Sequence, residues 1–190
     1  ANFALGKWHL APTEEGTMAG PWDRWPLGRG FDRFYGFLGA ETDQFDPDLV
    51  RDNHYVAAEK QPGKPYHLTE DLTDAAIGFI RDLRVVDNTK PYFMYFCPGA
   101  VHAPHQAPPE WIEATKGQFD AGWDAYREQV YRRQLELGIL PPGTELSPRP
   151  DWVKAWDSLS ADEQRLFSRQ MEVFAAFLAH TDHHIGRLLA

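Results

Sequence analysis

The sequence predicts an α/β protein, and three observations carry that prediction. Residues 69–83 place Leu72, Ala76, Phe79, Ile80 and Leu83 at a spacing of 3.6, the mark of a helix with one apolar face. A nearly unbroken apolar run, Tyr92–Cys97, follows within ten residues and suggests a strand covered on both faces. A helix feeding directly into such a strand is a piece of a layered α/β sheet. The last thirty residues then repeat the helical period over a much longer stretch.

Taken in order, "NFALGKWHL" reads as a strand end or extended segment closed by Pro12. Residues 16–55 are rich in Gly, Pro, Asp and aromatics without a sustained period, which predicts ordered loop with short turns. The abundance of aromatics there argues against disorder. Thr69 is the expected N-cap of the first helix, with Glu70, Asp71 and Asp74 near its positive end. "PPEWIEATKG" predicts a short helix from Pro109, and "GWDAYREQVYRRQLELGI" a second. Ser160 and Glu163 have the spacing of a capping box, each side chain serving the other's free backbone N–H. Phe167, Met171, Phe174, Leu178, Ile185 and Leu188 would form the buried stripe of the final helix. No repeat, low-complexity tract or internal boundary divides residues 1–190.

Bulk properties exclude several function classes. The 190 residues are 43% hydrophobic and 14% aromatic, enough for a real core, with no apolar stretch long enough to span a membrane. A net charge of −9 without a Lys/Arg block disfavours nucleic acid as a partner. One cysteine cannot build a disulfide framework. Residue 1 is Ala with no signal-peptide pattern after it, and the last helix has no termination signal. The expectation is a segment of a longer protein.

Four groups of residues could carry chemistry. In an extended "GKWHL", Lys7 and His9 point to one side and Trp8 to the other, so an ammonium and an imidazole would meet an anionic oxygen together. "GAVHAPHQAP" puts His102 and His105 in a proline-stiffened loop just past the strand expected at Tyr92–Cys97, where open α/β sheets bind ligands. Too few ligands accompany them for zinc, so they read as proton-handling or anion-contacting groups, or as a plain rigid loop. "HTDHH" places His180, Asp182 and His184 within chelating distance on one helix. The apolar stripe continues through Ile185 and Leu188, so it reads as a packing segment, and no metal site is expected. Glu41, Asp43 and Gln44 could line a polar pocket, while Cys97, with no base beside it, reads as core. No Walker loop, dinucleotide fingerprint or Gly-x-Ser-x-Gly elbow occurs.

Read together, "LGKWHL", "GFDRFYGFLGAETDQF", "LTEDLTDAAIGFIRD", "KPYFMYFCPGAVHAPHQAPPEWIE", "GQFDAGWDAYREQVYRRQLELGILP" and "WDSLSADEQRLFSRQMEVFAAFLAHTDHHIGRLL" resemble the middle of a type I sulfatase, the arylsulfatase family. The resemblance runs over essentially the whole chain. It implies the alkaline-phosphatase-like α/β fold, a large mixed sheet flanked by helices, with residues 1–190 an internal portion of the catalytic domain. It also implies hydrolysis of a small-molecule or carbohydrate sulfate ester by a formylglycine nucleophile assisted by Ca²⁺. Carried over by position, Lys7 would contact the sulfate and the formylglycine, and His9 the formylglycine hydroxyl. The H-x-P-H loop would supply the histidine at the leaving oxygen, His105 being the favoured one and His102 the other.

The departures from the family pattern are as specific. The Cys-x-Pro-Ser-Arg motif, the paired aspartates, the Asp-Asn pair and the downstream lysine are all absent from these residues. The nucleophile and Ca²⁺ ligands are therefore expected outside this chain, and the isolated chain is expected to be inactive. Rival readings are a phosphodiesterase or phosphonate monoester hydrolase of the same superfamily, and a non-catalytic sulfatase-like binding fragment.

Overall fold

Strands β1 (Asn2–Lys7), β2 (Arg33–Phe37), β3 (Leu49–Arg51), β4 (His54–Val56) and β5 (Phe93–Cys97) form one sheet in the order β4-β3-β2-β1-β5, in a computed structural model that describes residues 1–190. The central β1 is parallel to β2 and β5, whereas β3 and β4 extend the β2 side as an antiparallel meander. Four α-helices complete the architecture: α1 (Leu68–Val86), α2 (Pro109–Ala114), α3 (Gly122–Glu136) and α4 (Ala161–Leu189). This is an open, mixed α/β sheet with flanking helices.

Alternation along β1 sorts the core into two layers. Phe3 and Leu5 face α1 and pack with Tyr35, Phe37, Leu68, Leu72 and Phe79. Ala4 and Trp8 face the other way, against Trp25, Phe34, Leu38 and Val50. That second layer is covered by the aromatic-rich loop rather than by a helix. Its indoles are anchored by Trp8 Nε1–H donating to the Arg24 carbonyl (2.7 Å) and Trp25 Nε1–H to the Glu15 carbonyl (2.9 Å). Full burial of each large side chain contributes roughly 1.5–3 kcal/mol. On the α1 side, the Tyr35 and Tyr66 hydroxyls both donate to Asp71, at 2.6 and 2.7 Å, tying β2 and the preceding loop to the first turn of α1.

Several local expectations need correction. Residues 16–55 contain three strands besides turns; they are only three to five residues long, and aromatics on both faces leave no alternation to read. Helix α1 is capped by His67, whose ring nitrogen accepts the Thr69 N–H at 3.2 Å, while Thr69 itself is the buried second residue of the helix. In this chain β5 is an edge strand, not a strand covered on both faces. Met94 and Phe96 pack toward α1, but Phe93 and Tyr95 remain 57% and 39% exposed because only Phe31 of the aromatic loop reaches over them.

The capping box that starts α4 is present, with Ser160 and Glu163 exchanging hydrogen bonds. Its buried face, however, is Ser168, Glu172, Ala176, Phe177, His180, Thr181 and His184, one position round from the apolar stripe. Leu178 is 52% exposed. The polar face turns inward because α1 and the turn after α2 offer it partners: the Gly117 N–H donates to the Glu172 carboxylate, Thr115 Oγ1–H donates to the Glu172 main-chain carbonyl, and Glu70 of α1 lies 3.6 Å from His180 Nε2. Phe167, Met171 and Phe174 instead line a cavity of about 590 Å³ against α3.

Candidate active site

The three parallel strands end at one edge of the sheet, Gly6 opposite Cys97 and Lys7 opposite Phe37. Open sheets of this kind bind ligands outside the carboxyl ends of their strands. The strands can close up at this edge because glycines meet there. A Cβ on Gly36 would lie 2.0 Å from the Gly6 carbonyl oxygen, and one on Gly6 1.8 Å from that of Cys97. Gly6 also has φ of +93°, a conformation that strains any other residue.

Lys7 is half-buried at the tip of β1. Carboxylates of the neighbouring loops are engaged elsewhere, Asp46 with Lys60 and Glu41 with His102, which leaves its ammonium unpaired. Trp8 turns into the core as the spacing predicts, but His9 does not continue the extended strand. Its φ is +50°, in the left-handed region, although its N–H still donates to the Leu38 carbonyl at 3.1 Å. Such conformations persist where the surroundings over-determine them, and cluster at functional sites. The exposed His9 ring borders a cavity of about 280 Å³ with Thr13, Leu38, Glu41, Asp48 and Tyr55.

Residues after β2 and β5 are locked together at this edge. Gln106 accepts the Gln44 N–H at 2.7 Å and donates to Asp43 at 2.7 Å, while its carbonyl meets His67 Nε2 at 3.2 Å. The Asp43 carboxyl is held below the ordinary carboxylate range, chiefly by the Gln106 amide and then by the Phe45 and Asp46 N–H groups. Gln44 packs directly on Gly99, where an added Cβ would come within 2.8 Å of its amide nitrogen. Of the pocket residues expected from sequence, Asp43 and Gln44 therefore brace the loop, and Glu41 alone reaches a candidate catalytic group.

That group is His102. Its Nδ1 lies 2.8 Å from the Ala103 carbonyl and 3.3 Å from Glu41 Oε2. Both partners accept, so Nδ1 carries the proton and Nε2 is the nitrogen left for an incoming ligand. His105 goes elsewhere. Its ring stands edge-on to Phe174 at 5.3 Å and borders the apolar cavity of α3 and α4. The structure thus pairs Glu41 with His102 and places it on the cavity that His9 borders, while His105 lines a different cavity. Sequence spacing could not reveal the Glu41–His102 and Gln44–Gln106 contacts, which join residues about sixty positions apart.

The donor set at this edge does not suit Ca²⁺, which takes six to eight oxygen ligands. Lys7, His9 and His102 are cationic or nitrogen groups, and the nearby carboxylates of Glu41 and Asp43 are already engaged. Cys97 is half-buried and followed by Pro98 and Gly99, so it does not supply a Cys-x-Pro-Ser-Arg nucleophile.

A family model described as Sulfatase matches residues 1–190. The chain belongs to the sulfatase family. This sulfatase chain is 29% identical over 195 aligned residues to the arylsulfatase of Klebsiella aerogenes, covering 99% of its own length and 40% of that relative's. Solved structures agree on the fold. It superposes with a TM-score of 0.57 and 16% identity on the sulfatase-type protein yidJ from Bacteroides fragilis, covering 98% of this chain and 36% of that one. With Ps i-CgsB in complex with k-i-k-neocarrahexaose the TM-score is 0.53 at 19% identity, over 98% and 32%. The alkaline-phosphatase-like fold expected from the motifs is therefore the fold of this sulfatase chain, which spans less than half the length of these relatives. No helix is long and apolar enough to cross a membrane.

Proposed function

We propose that these residues form the sulfate-gripping and leaving-group part of a sulfuric ester hydrolase that acts on aryl or carbohydrate sulfates. The observation that carries the reading is the constellation at the strand ends: an unpaired Lys7, a strained and exposed His9, and a His102 whose Nδ1–H is fixed by Ala103 and Glu41. Lys7 holds an anionic sulfate oxygen as a point charge. His9 donates a hydrogen bond at the same edge. Ala103 and Glu41 hold the His102 Nδ1–H, which turns Nε2 toward the departing ester oxygen as the general acid. Fixed positive charge of this kind stabilises charge that develops in the transition state, even in a chain whose net charge is −9.

In this reading the formylglycine and the Ca²⁺ ligands come from residues outside these 190. The carbohydrate option draws support from the neocarrahexaose bound by Ps i-CgsB. Its test is turnover of an aryl sulfate, in the presence of Ca²⁺, by the 190-residue chain and by a protein that joins it to a Cys-x-Pro-Ser-Arg segment. The chain alone stays at the buffer rate and the longer protein turns over. A longer protein that cleaves a phosphate diester faster than the sulfate contradicts the reading in favour of a phosphodiesterase. One that cleaves neither leaves a binding function.

A further inference from the structure

The first turn of α1 meets the C-terminal half of α4 at a cluster of histidines that the reading above does not use. His180 and His184 are buried, at 1% and 6% exposure, and their Nε2 atoms face each other at 3.1 Å. Glu70 Oε1 lies 3.6 Å from His180 Nε2, and donor atoms of all three residues fall within 4.8 Å of one another. We propose that Glu70, His180 and His184 form a zinc-type divalent metal site that clasps α1 to α4.

The geometry suits the ion. Tetrahedral zinc with bonds of about 2.0–2.1 Å holds its ligand atoms roughly 3.3 Å apart, between the two separations seen here. Two imidazoles and one carboxylate are a familiar zinc donor set, and they leave a fourth position for water. Glu70 also borders a polar cavity of about 220 Å³ with Lys64, Tyr66, His67 and Asp74, so one face of the cluster lies beside solvent-accessible space. His67 is excluded as a ligand: its Nδ1 accepts the Thr69 N–H and its Nε2 donates to the Gln106 carbonyl.

The hydrogen bonds of the metal-free cluster are poorly balanced. Arg187 Nη1 lies 2.8 Å from His184 Nδ1, and a guanidinium only donates, so Nδ1 is the acceptor and the proton sits on His184 Nε2. His184 Nε2–H then donates to His180 Nε2. This leaves the proton of His180 on Nδ1, which is buried without a partner. His180 thus already has its Nε2 free for a metal. For His184, binding moves the proton from Nε2 to Nδ1 by exchange with solvent, and Arg187 withdraws to Asp74, which it already meets at 2.6 Å.

The test is a competitive zinc titration of the metal-stripped chain, repeated with cobalt followed by visible absorption. Wild type takes up a single tight equivalent, and cobalt shows the intense bands of a low-coordinate site. Glu70→Gln and His184→Gln each weaken zinc at least about tenfold with unchanged far-ultraviolet circular dichroism. Arg187→Gln binds as tightly or more tightly, because no guanidinium has to leave. Absence of a saturable site, or a Glu70→Gln variant with wild-type affinity and an unchanged cobalt spectrum, overturns the proposal. Glu70 caps no core contact, so its variant decides the matter even if His184→Gln loses the fold.

Discussion

Glu172 shows what one buried carboxylate does in this chain. It is 5% exposed on α4, accepts the Gly117 N–H at 2.7 Å and pairs with Arg169 at 2.8 Å. Burial pushes its carboxyl up, but Arg169 and the Gly117 N–H outweigh burial and hold it below the ordinary range. The unfolded chain therefore takes up this proton more readily than the folded one. The stabilisation is complete above the ordinary carboxylate pKa and is lost as pH falls through the lower folded value. Urea unfolding should show stability declining below about pH 5, with part of the slope removed in Glu172→Gln. The variant should also cost about 1–2 kcal/mol at pH 7, since an amide accepts from Gly117 but no longer pairs with Arg169. None of this is legible from sequence, where Glu172 lies outside the apolar stripe and its partners lie over fifty residues away or on the same helix.

At the scale of the element, what was legible depended on whether the signal was local. The α4 capping box needs only residues 160–163, and it is present as read. Ser160→Ala should lower stability by about 0.5–2 kcal/mol in thermal or urea unfolding, whereas Ser158→Ala, outside the box, should change it little. The helix spans were readable from the 3.6 period, because an amphipathic pattern survives any tertiary setting. Which α4 face is buried was not, because α1 and the turn after α2 supply polar partners that outbid the apolar stripe. His67 displaced Thr69 as the α1 cap for a similar reason: its ring is held from the other side by the Gln106 carbonyl. The strand order followed from neither. Strands of three residues leave no period, and the segments bearing Lys7 and His102 reach the same end of the sheet only through the pairing of β1 with β5.

For the whole molecule, the open edge at β5 is the feature with a physical cost. Phe93 and Tyr95 pack against Phe31, yet remain exposed beside a row of unpaired backbone groups. An exposed apolar edge strand is a template for association with another chain. Sedimentation velocity of the 190-residue chain should show self-association that grows with concentration and is reduced in Phe93→Lys. A wild-type chain that stays monomeric throughout the concentration series would contradict this.

The carboxyl ends of β1, β2 and β5 carry the proposed site, where Lys7, His9 and His102 would meet the ester. The most direct measurement compares His102→Ala with His105→Ala in a protein joining the chain to its formylglycine segment, with kcat for an aryl sulfate as the readout. The account predicts a loss of about 10²–10⁴-fold for His102→Ala, the range of a positioned general acid. His105→Ala, removing a ring that rests on Phe174, should stay within a few-fold of wild type. A large loss with His105→Ala and near-normal turnover with His102→Ala would contradict the account.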